Sequence, residues 1–298
     1  MYPIFFTINK FHVFSYSIGP LYIHAYGVML AVSFLAGLLL LIREGKKVGF
    51  SSEDMIDLTI YIIILSIIGG RIMYVLLSMD EYSSQPLSAL KIYEGGLSYH
   101  GGAIGGFIAA FLYAWRKKIN GWKLVDTGIP ALVLGAAIAR WGCFLNGCCF
   151  GHEWHGPWAV IFPALGDHLP RHPAQLYDSA LNLLLLVILF QLKKLKKKEG
   201  DMFAFYLMGF AVLRFTTEIF RAGATGKAFI FSWLTEAQAA SFLIFAVGLA
   251  IFLLKPGKIP GTISVSPAPA AATVQSDKKN KPKKSADEPV KKTKRNKR

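Results

Sequence analysis

Five short stretches of the chain hold side chains with a capacity for chemistry. His24-Ala25-Tyr26-Gly27 offers a phenol, and Gly95-Gly96-Leu97-Ser98-Tyr99-His100-Gly101-Gly102 sets a histidine between paired glycines. Ala139-Arg140-Trp141-Gly142-Cys143-Phe144-Leu145-Asn146-Gly147-Cys148-Cys149-Phe150-Gly151 combines an arginine, an amide and three thiols. Arg171-His172-Pro173-Ala174-Gln175-Leu176-Tyr177-Asp178 and Arg214-Phe215-x-x-Glu218-x-Phe220-Arg221 complete the set. A guanidinium presents a planar fork of donors that matches two phosphate oxygens. Histidine is the side chain readiest to move a proton near neutral pH. Each has a plainer reading beside it. Arginines also bind helix-end carbonyls or reach up to headgroups, and a histidine among glycines also serves as scaffold.

The three cysteines of the chain all fall within residues 143–149, with His152 and His155 just beyond. Their spacing matches no standard zinc pattern, and the vicinal Cys148-Cys149 pair is awkwardly shaped for one ion. Free, buried thiols acting as small hydrophobes are the expected state, with a disulfide as the alternative. No metal and no cofactor are expected.

These residues need a scaffold, and composition defines it. Of 298 residues 53% are hydrophobic and only 17% charged, where soluble domains average about a quarter charged. That disfavours a soluble enzyme, and it excludes collagen-like, disulfide-scaffold and wholly disordered chains. Apolar blocks long enough to cross a bilayer recur at roughly 22–42, 56–77, 98–115, 128–146, 174–192, 202–220 and 236–254. The fold class is therefore all-α: a polytopic membrane protein of about seven transmembrane helices. The third block is short, and its glycine-rich start predicts a broken or re-entrant segment. The first 21 residues carry one lysine and no small-residue cleavage site, so no cleaved leader is expected.

Charge orients the chain. If the spans number seven, segments 43–55, 116–127, 193–201 and 255–298 share one side and hold 25 of the 33 Lys and Arg residues. The other side holds five: Lys10, Lys91, Arg171, Arg221 and Lys227. This bias predicts an outside N-terminus and a cytoplasmic C-terminus. The expected domains are a membrane-embedded unit, 1–254, and a disordered basic tail, 255–298. The tail alone carries 13 basic and 3 acidic residues, suited to anionic lipid headgroups, and no module for specific nucleic-acid recognition accompanies it.

Three basic residues remain, Arg71, Arg140 and Arg214, and all lie inside spans. A mid-membrane arginine costs about 2.5–3.5 kcal/mol on insertion scales. At 1.5 Å per residue they sit about 23, 18 and 18 Å from the cytoplasmic ends, in the outer half. Several arginines from different helices at one depth favour a phosphate site. Arg214, Glu218 and Arg221 at i, i+4, i+7 predict one helix face carrying Arg–Glu–Arg, with Glu218 neutralising one neighbour.

The order and wording of these stretches, with Gly69-Gly70-Arg71-Ile72-Met73-Tyr74-Val75, resemble the bacterial prolipoprotein diacylglyceryl transferases over roughly residues 12–254. The resemblance implies an inner-membrane enzyme acting in the outer half of the bilayer. It would take phosphatidylglycerol as donor and a lipobox cysteine of a preprolipoprotein as acceptor. The products would be a thioether-linked diacylglyceryl group and glycerol phosphate. The chemistry of the residues fits that reaction: His100 is the candidate base, Arg140 and Arg221 are candidate phosphate ligands, and Tyr26 and Asn146 are expected to place polar headgroup or peptide atoms. Arg71 and Glu218 complete the donor site. The chain departs from the family pattern where Cys143 stands for an Asn, Cys148 for a Glu, and Ala222-Gly223 follow Arg221. A differently specific or non-catalytic lipid-binding protein is the rival reading. A transporter would more often carry internal repeats, and none is visible.

Overall fold

The computed structural model describes residues 4–8, 11–13, 16–18, 21–82, 86–91, 95–222, 229–231 and 234–254. The tail 255–298, with the lipid-binding reading attached to it, lies outside the described residues. Seven long helices carry the fold: α1 (Ala25–Lys47), α2 (Ser52–Leu77), α3 (Tyr99–Lys117), α4 (Gly121–Asn146), α5 (Ala174–Leu192), α6 (Asp201–Phe220) and α7 (Glu236–Leu254). Six of them, all but α3, are both long and apolar enough to cross a membrane. Leu39, Phe107, Phe111, Val187 and Leu243 are exposed, as befits side chains that face lipid rather than water. The chain is an all-α polytopic membrane protein.

Local chemistry sets the helix ends. Ser51 caps α2 by accepting from the Asp54 N–H at 2.9 Å, and Asn120 caps α4 by accepting from the Trp122 N–H at 3.0 Å. That second cap starts α4 seven residues before the apolar block that announced it. The first span is also displaced. Leu21–His24 is a strand, paired antiparallel with Ile4–Ile8, and helix begins only at Ala25.

The glycine-rich third span is regular helix, not a broken segment. Its glycines serve close approach. A Cβ at Gly101 would lie 2.3 Å from the Gly69 carbonyl oxygen, and one at Gly105 would lie 2.1 Å from that of Leu65. Such backbone-to-backbone contact between membrane helices requires small residues. The Ser98 N–H donates to Gly70 O at 2.9 Å and pins the outer end of this pair.

At the opposite, basic end the bundle is closed by buried charges. Glu44 of α1 pairs with Lys47 at 2.6 Å and with Lys193 beyond α5. Asp126 of α4 accepts from the Gly200 and Phe203 N–H groups at 2.7 and 3.0 Å, capping α6 from another helix. Lys196 neutralises Asp126 at 2.8 Å. Leu41, Met55, Leu58, Tyr113 and Leu124 form the apolar cluster that joins α1 to α4 here.

Candidate functional site

Arg71, Arg140 and Arg214 each stand six residues before the end of their helix, on α2, α4 and α6. Their surroundings separate them. Arg140 meets Asp178 of α5, Nη2 to Oδ2 at 2.7 Å, with the Asp178 side chain 8% exposed. No acid on its own helix is near enough, so the partner comes from a neighbour. Arg214, half-buried, pairs with the buried Glu218 on α6 at 2.6 Å, with the two atoms off the hydrogen-bond axis. Glu218 thus neutralises the arginine one turn before it.

Arg221 is not on that face. The helix ends at Phe220, and Arg221 turns extended (φ −82°, ψ 128°) to bridge antiparallel to Gly151. A small platform results. The His152 N–H donates to Phe220 O at 2.9 Å, the Ala222 N–H to Phe150 O at 3.2 Å, and the Gly151 N–H to His172 O at 2.8 Å. The ring of Trp154 stacks on His172 at 4.4 Å, and His172 Nδ1 lies 3.0 Å from the Tyr177 hydroxyl. Burial and the nearby His152 hold the His172 ring below the ordinary histidine value. A Cβ at Gly151 would lie 2.4 Å from Phe220 O, so only glycine fits between these strands.

This platform carries Arg221 toward α4. Arg221 and Arg140 both act electrostatically on Cys149, and Asp178 feels Arg140, Arg214 and Arg221 together. Tyr26, in the first turn of α1, packs on the α4 backbone: a Cβ at Gly142 would lie 3.1 Å from its ring. Arg140 and the three cysteines are its electrostatic neighbours. Asn146 is the exposed last residue of α4. Tyr26, Arg140, Arg221 and the cysteines therefore form one cluster, and Asp178 belongs to it.

The cysteines are free, and their three Sγ atoms lie within 4.8 Å of one another. Cys149 adopts φ 63°, a left-handed conformation rare for a side-chain-bearing residue. Gln175, fully buried, donates from Nε2 to Cys148 O at 2.6 Å and fixes the turn. The neighbouring Cys143 and Cys148, helped by Arg221 and Arg140, hold the Cys149 thiol below the ordinary thiol range, while the Cys148 thiol is pushed up.

Arg71 is engaged elsewhere. Its guanidinium donates to the carbonyls of Ala89 (2.8 Å), Gly95 (2.7 Å), Gly96 (3.1 Å), Ser88 (2.9 Å) and Lys91 (3.4 Å). It clamps the segment before α3 rather than offering a free fork, which corrects its expected place among the phosphate ligands. His100, in the first turn of α3, is exposed, with the Tyr99 ring 5.8 Å away. Among the described residues no contact joins it to the Arg140 cluster. Asp178 and Gln175 were missed as site residues. Asp178 was visible as an acid near the start of an apolar span, an expense that needs a reason.

Fold and site together define a polytopic helical membrane protein with a half-buried, ion-paired cationic cluster where α4, α5 and α6 meet. The model of the family described as prolipoprotein diacylglyceryl transferase matches residues 13–254. The chain is 34% identical over 242 residues to the phosphatidylglycerol–prolipoprotein diacylglyceryl transferase of Bordetella avium, covering 80% of this chain and 92% of that one. It is 34% identical over 254 residues to that of Legionella pneumophila strain Paris, covering 84% and 99%, and 32% identical to that of Bacillus mycoides. The chain belongs to the prolipoprotein diacylglyceryl transferase family.

Proposed function

We propose that this protein transfers the diacylglyceryl group of phosphatidylglycerol to the cysteine thiol of a prolipoprotein, the first step of lipoprotein maturation. The acceptor cysteine is that of the lipobox. The reaction forms a carbon–sulfur bond at the glycerol carbon and breaks the bond from that carbon to the phosphate ester oxygen. The electron pair leaves on that oxygen, as glycerol phosphate, and the thiol proton passes to a base.

The observation that carries the reading, given the family, is the half-buried Arg140 paired with the buried Asp178 beside Arg221. Asp178 occupies one nitrogen of the Arg140 fork and holds the group in place, so the remaining donors are oriented for phosphate before it arrives. Preoriented cations in a dry site stabilise the charge that builds on a leaving phosphate. Arg140 and Arg221 bind the phosphate. Tyr26 and Asn146 place polar atoms of headgroup or peptide, and His100 takes the thiol proton. Glu218 keeps Arg214 neutralised, and Arg71 shapes the glycine segment that precedes His100.

The site lies in the outer half of a bacterial inner membrane, with the N-terminus outside and the C-terminus in the cytoplasm. The lysine and arginine bias of the loops supports this orientation. No specific nucleic-acid partner belongs to this reading. The test is purified protein with phosphatidylglycerol and a lipobox peptide, read by mass spectrometry. A peptide gaining diacylglycerol through a thioether is the expected product; an unmodified peptide with active donor and folded protein overturns the reading.

A further inference from the structure

The cysteine trio is more organised than passive packing requires. Cys143 in the last turn of α4 and Cys148 and Cys149 in the following loop bring three sulfurs within 4.8 Å of one another, none in a disulfide. Three thiolates on a tetrahedral zinc ion, with Zn–S of about 2.3 Å, stand about 3.8 Å apart. Closing onto an ion therefore takes about 1 Å of side-chain movement. The vicinal pair looked unfit for one ion, and the backbone removes that objection. Cys149 at φ 63° is turned so that its sulfur joins the others, in a left-handed conformation that side-chain-bearing residues rarely adopt. Strain of this kind persists where the surroundings impose it and clusters at functional sites. Here the imposing contacts include Gln175 on Cys148 O and the Gly151 platform. Arg140 and Arg221 stand near enough to Cys149 to act on it electrostatically, so cations flank the three sulfurs.

We propose that Cys143, Cys148 and Cys149 form a three-sulfur site for a thiophilic divalent cation of the zinc class, whose fourth coordination position takes the acceptor thiol. Three protein ligands with one open position is the pattern of catalytic rather than structural zinc. The role of the fourth position rests on the transferase reading; the three-sulfur site itself does not. On binding the ion the acceptor thiol loses its proton to a base. Its sulfur lone pair then forms the bond to the glycerol carbon as the carbon–oxygen bond breaks, its electrons leaving with the phosphate. The thioether product is a weaker donor than a thiolate and departs. The ion is neither oxidised nor reduced.

The full-length protein in detergent, reduced and stripped of metal by chelation, is titrated with Co(II) and then Zn(II). The expected result is one cobalt per chain, with thiolate-to-cobalt charge transfer and tetrahedral ligand-field bands that zinc displaces. Outer-shell changes already weaken metal sites 10–100-fold, so removing one ligand should weaken binding by more than about 100-fold. Cys149→Gly is the decisive variant. It relieves the left-handed backbone, so it should fold at least as well as the parent and yet lose cobalt. A lipobox peptide should shift the ligand-field bands, while its Cys→Ser analogue should not. Absence of saturable cobalt binding by the reduced parent, or equal binding by Cys149→Gly, overturns the site. A spectrum indifferent to the peptide overturns the fourth-position role. Thioether formation is assayed separately. Its absence with cobalt binding intact counts against the transferase reading, and its survival in a variant without metal counts against this one.

Discussion

A guanidinium half-buried among apolar helices needs an anion, and Asp178 supplies it from α5 at 2.7 Å. Replacing Asp178 with Asn keeps the shape and removes the charge. Breaking a buried pair costs about 3–5 kcal/mol, less where water reaches the exposed edge of Arg140. The variant should melt earlier in detergent and transfer more slowly, checked by thermal denaturation and thioether assay on one preparation. Arg140 itself should tolerate neither Ala nor Lys, because lysine keeps the charge and loses the planar fork. At equal membrane abundance, near-normal transfer by Arg140→Ala would remove it from the mechanism. His100→Gln preserves size and hydrogen bonding without a titratable base. General-base catalysis contributes about 10²–10⁴-fold, so kcat should fall by that order with little change in donor KM. Unchanged turnover would leave His100 as scaffold beside the segment clamped by Arg71.

The elements meet through contacts that admit no extra atoms. Along the α2–α3 seam a side chain at Gly101 would run into the Gly69 carbonyl at 2.3 Å, so the helices must part to take one. Gly101→Val should lower the melting temperature, since overpacking costs about 1–3 kcal/mol. Gly128→Ala on α4, where nothing lies within 4 Å of the added carbon, is the control and should melt unchanged or slightly higher. Equal melting of the two variants would mean that the seam does not depend on glycine. Composition announced glycine here, but glycine enrichment is shared by broken segments and by tight helix pairs. Only the partner distinguishes them, and the partner lies about 30 residues away in the chain.

At the scale of the whole bundle, the described residues hold charge at its two ends in different states. At the basic end Glu44 and Asp126 are neutralised by lysines and by helix N–H groups, which closes that end structurally. At the other end the cations exceed the acids around Asp178. The orientation proposed from the lysine and arginine bias would put residue 118 and the C-terminus in the cytoplasm. Reporter fusions active only on one side of the membrane, placed after residue 118 and after residue 298, should both report cytoplasm. A fusion in the segment 152–168 should report the outside. The opposite pattern would overturn the orientation.

The seven long helices were legible from the amino-acid sequence, though only six of them qualify as membrane spans, because bilayer thickness imposes length and hydrophobicity on each helix independently of its neighbours. Helix starts were less legible. Asn120 and Ser51 begin α4 and α2 through local hydrogen bonds that a hydropathy profile does not register. Two residues changed meaning on folding. Arg221, in helical register with Glu218 by spacing, leaves the helix because its backbone pairs with Gly151. Arg71, an equal of Arg140 by depth, spends its donors on five carbonyls. The pairing of Asp178 with Arg140 and the convergence of the three sulfurs belong to the tertiary structure alone. Spacing along one helix says which side chains share a face, but whether a buried charge or thiol is paired depends on which other helix arrives there.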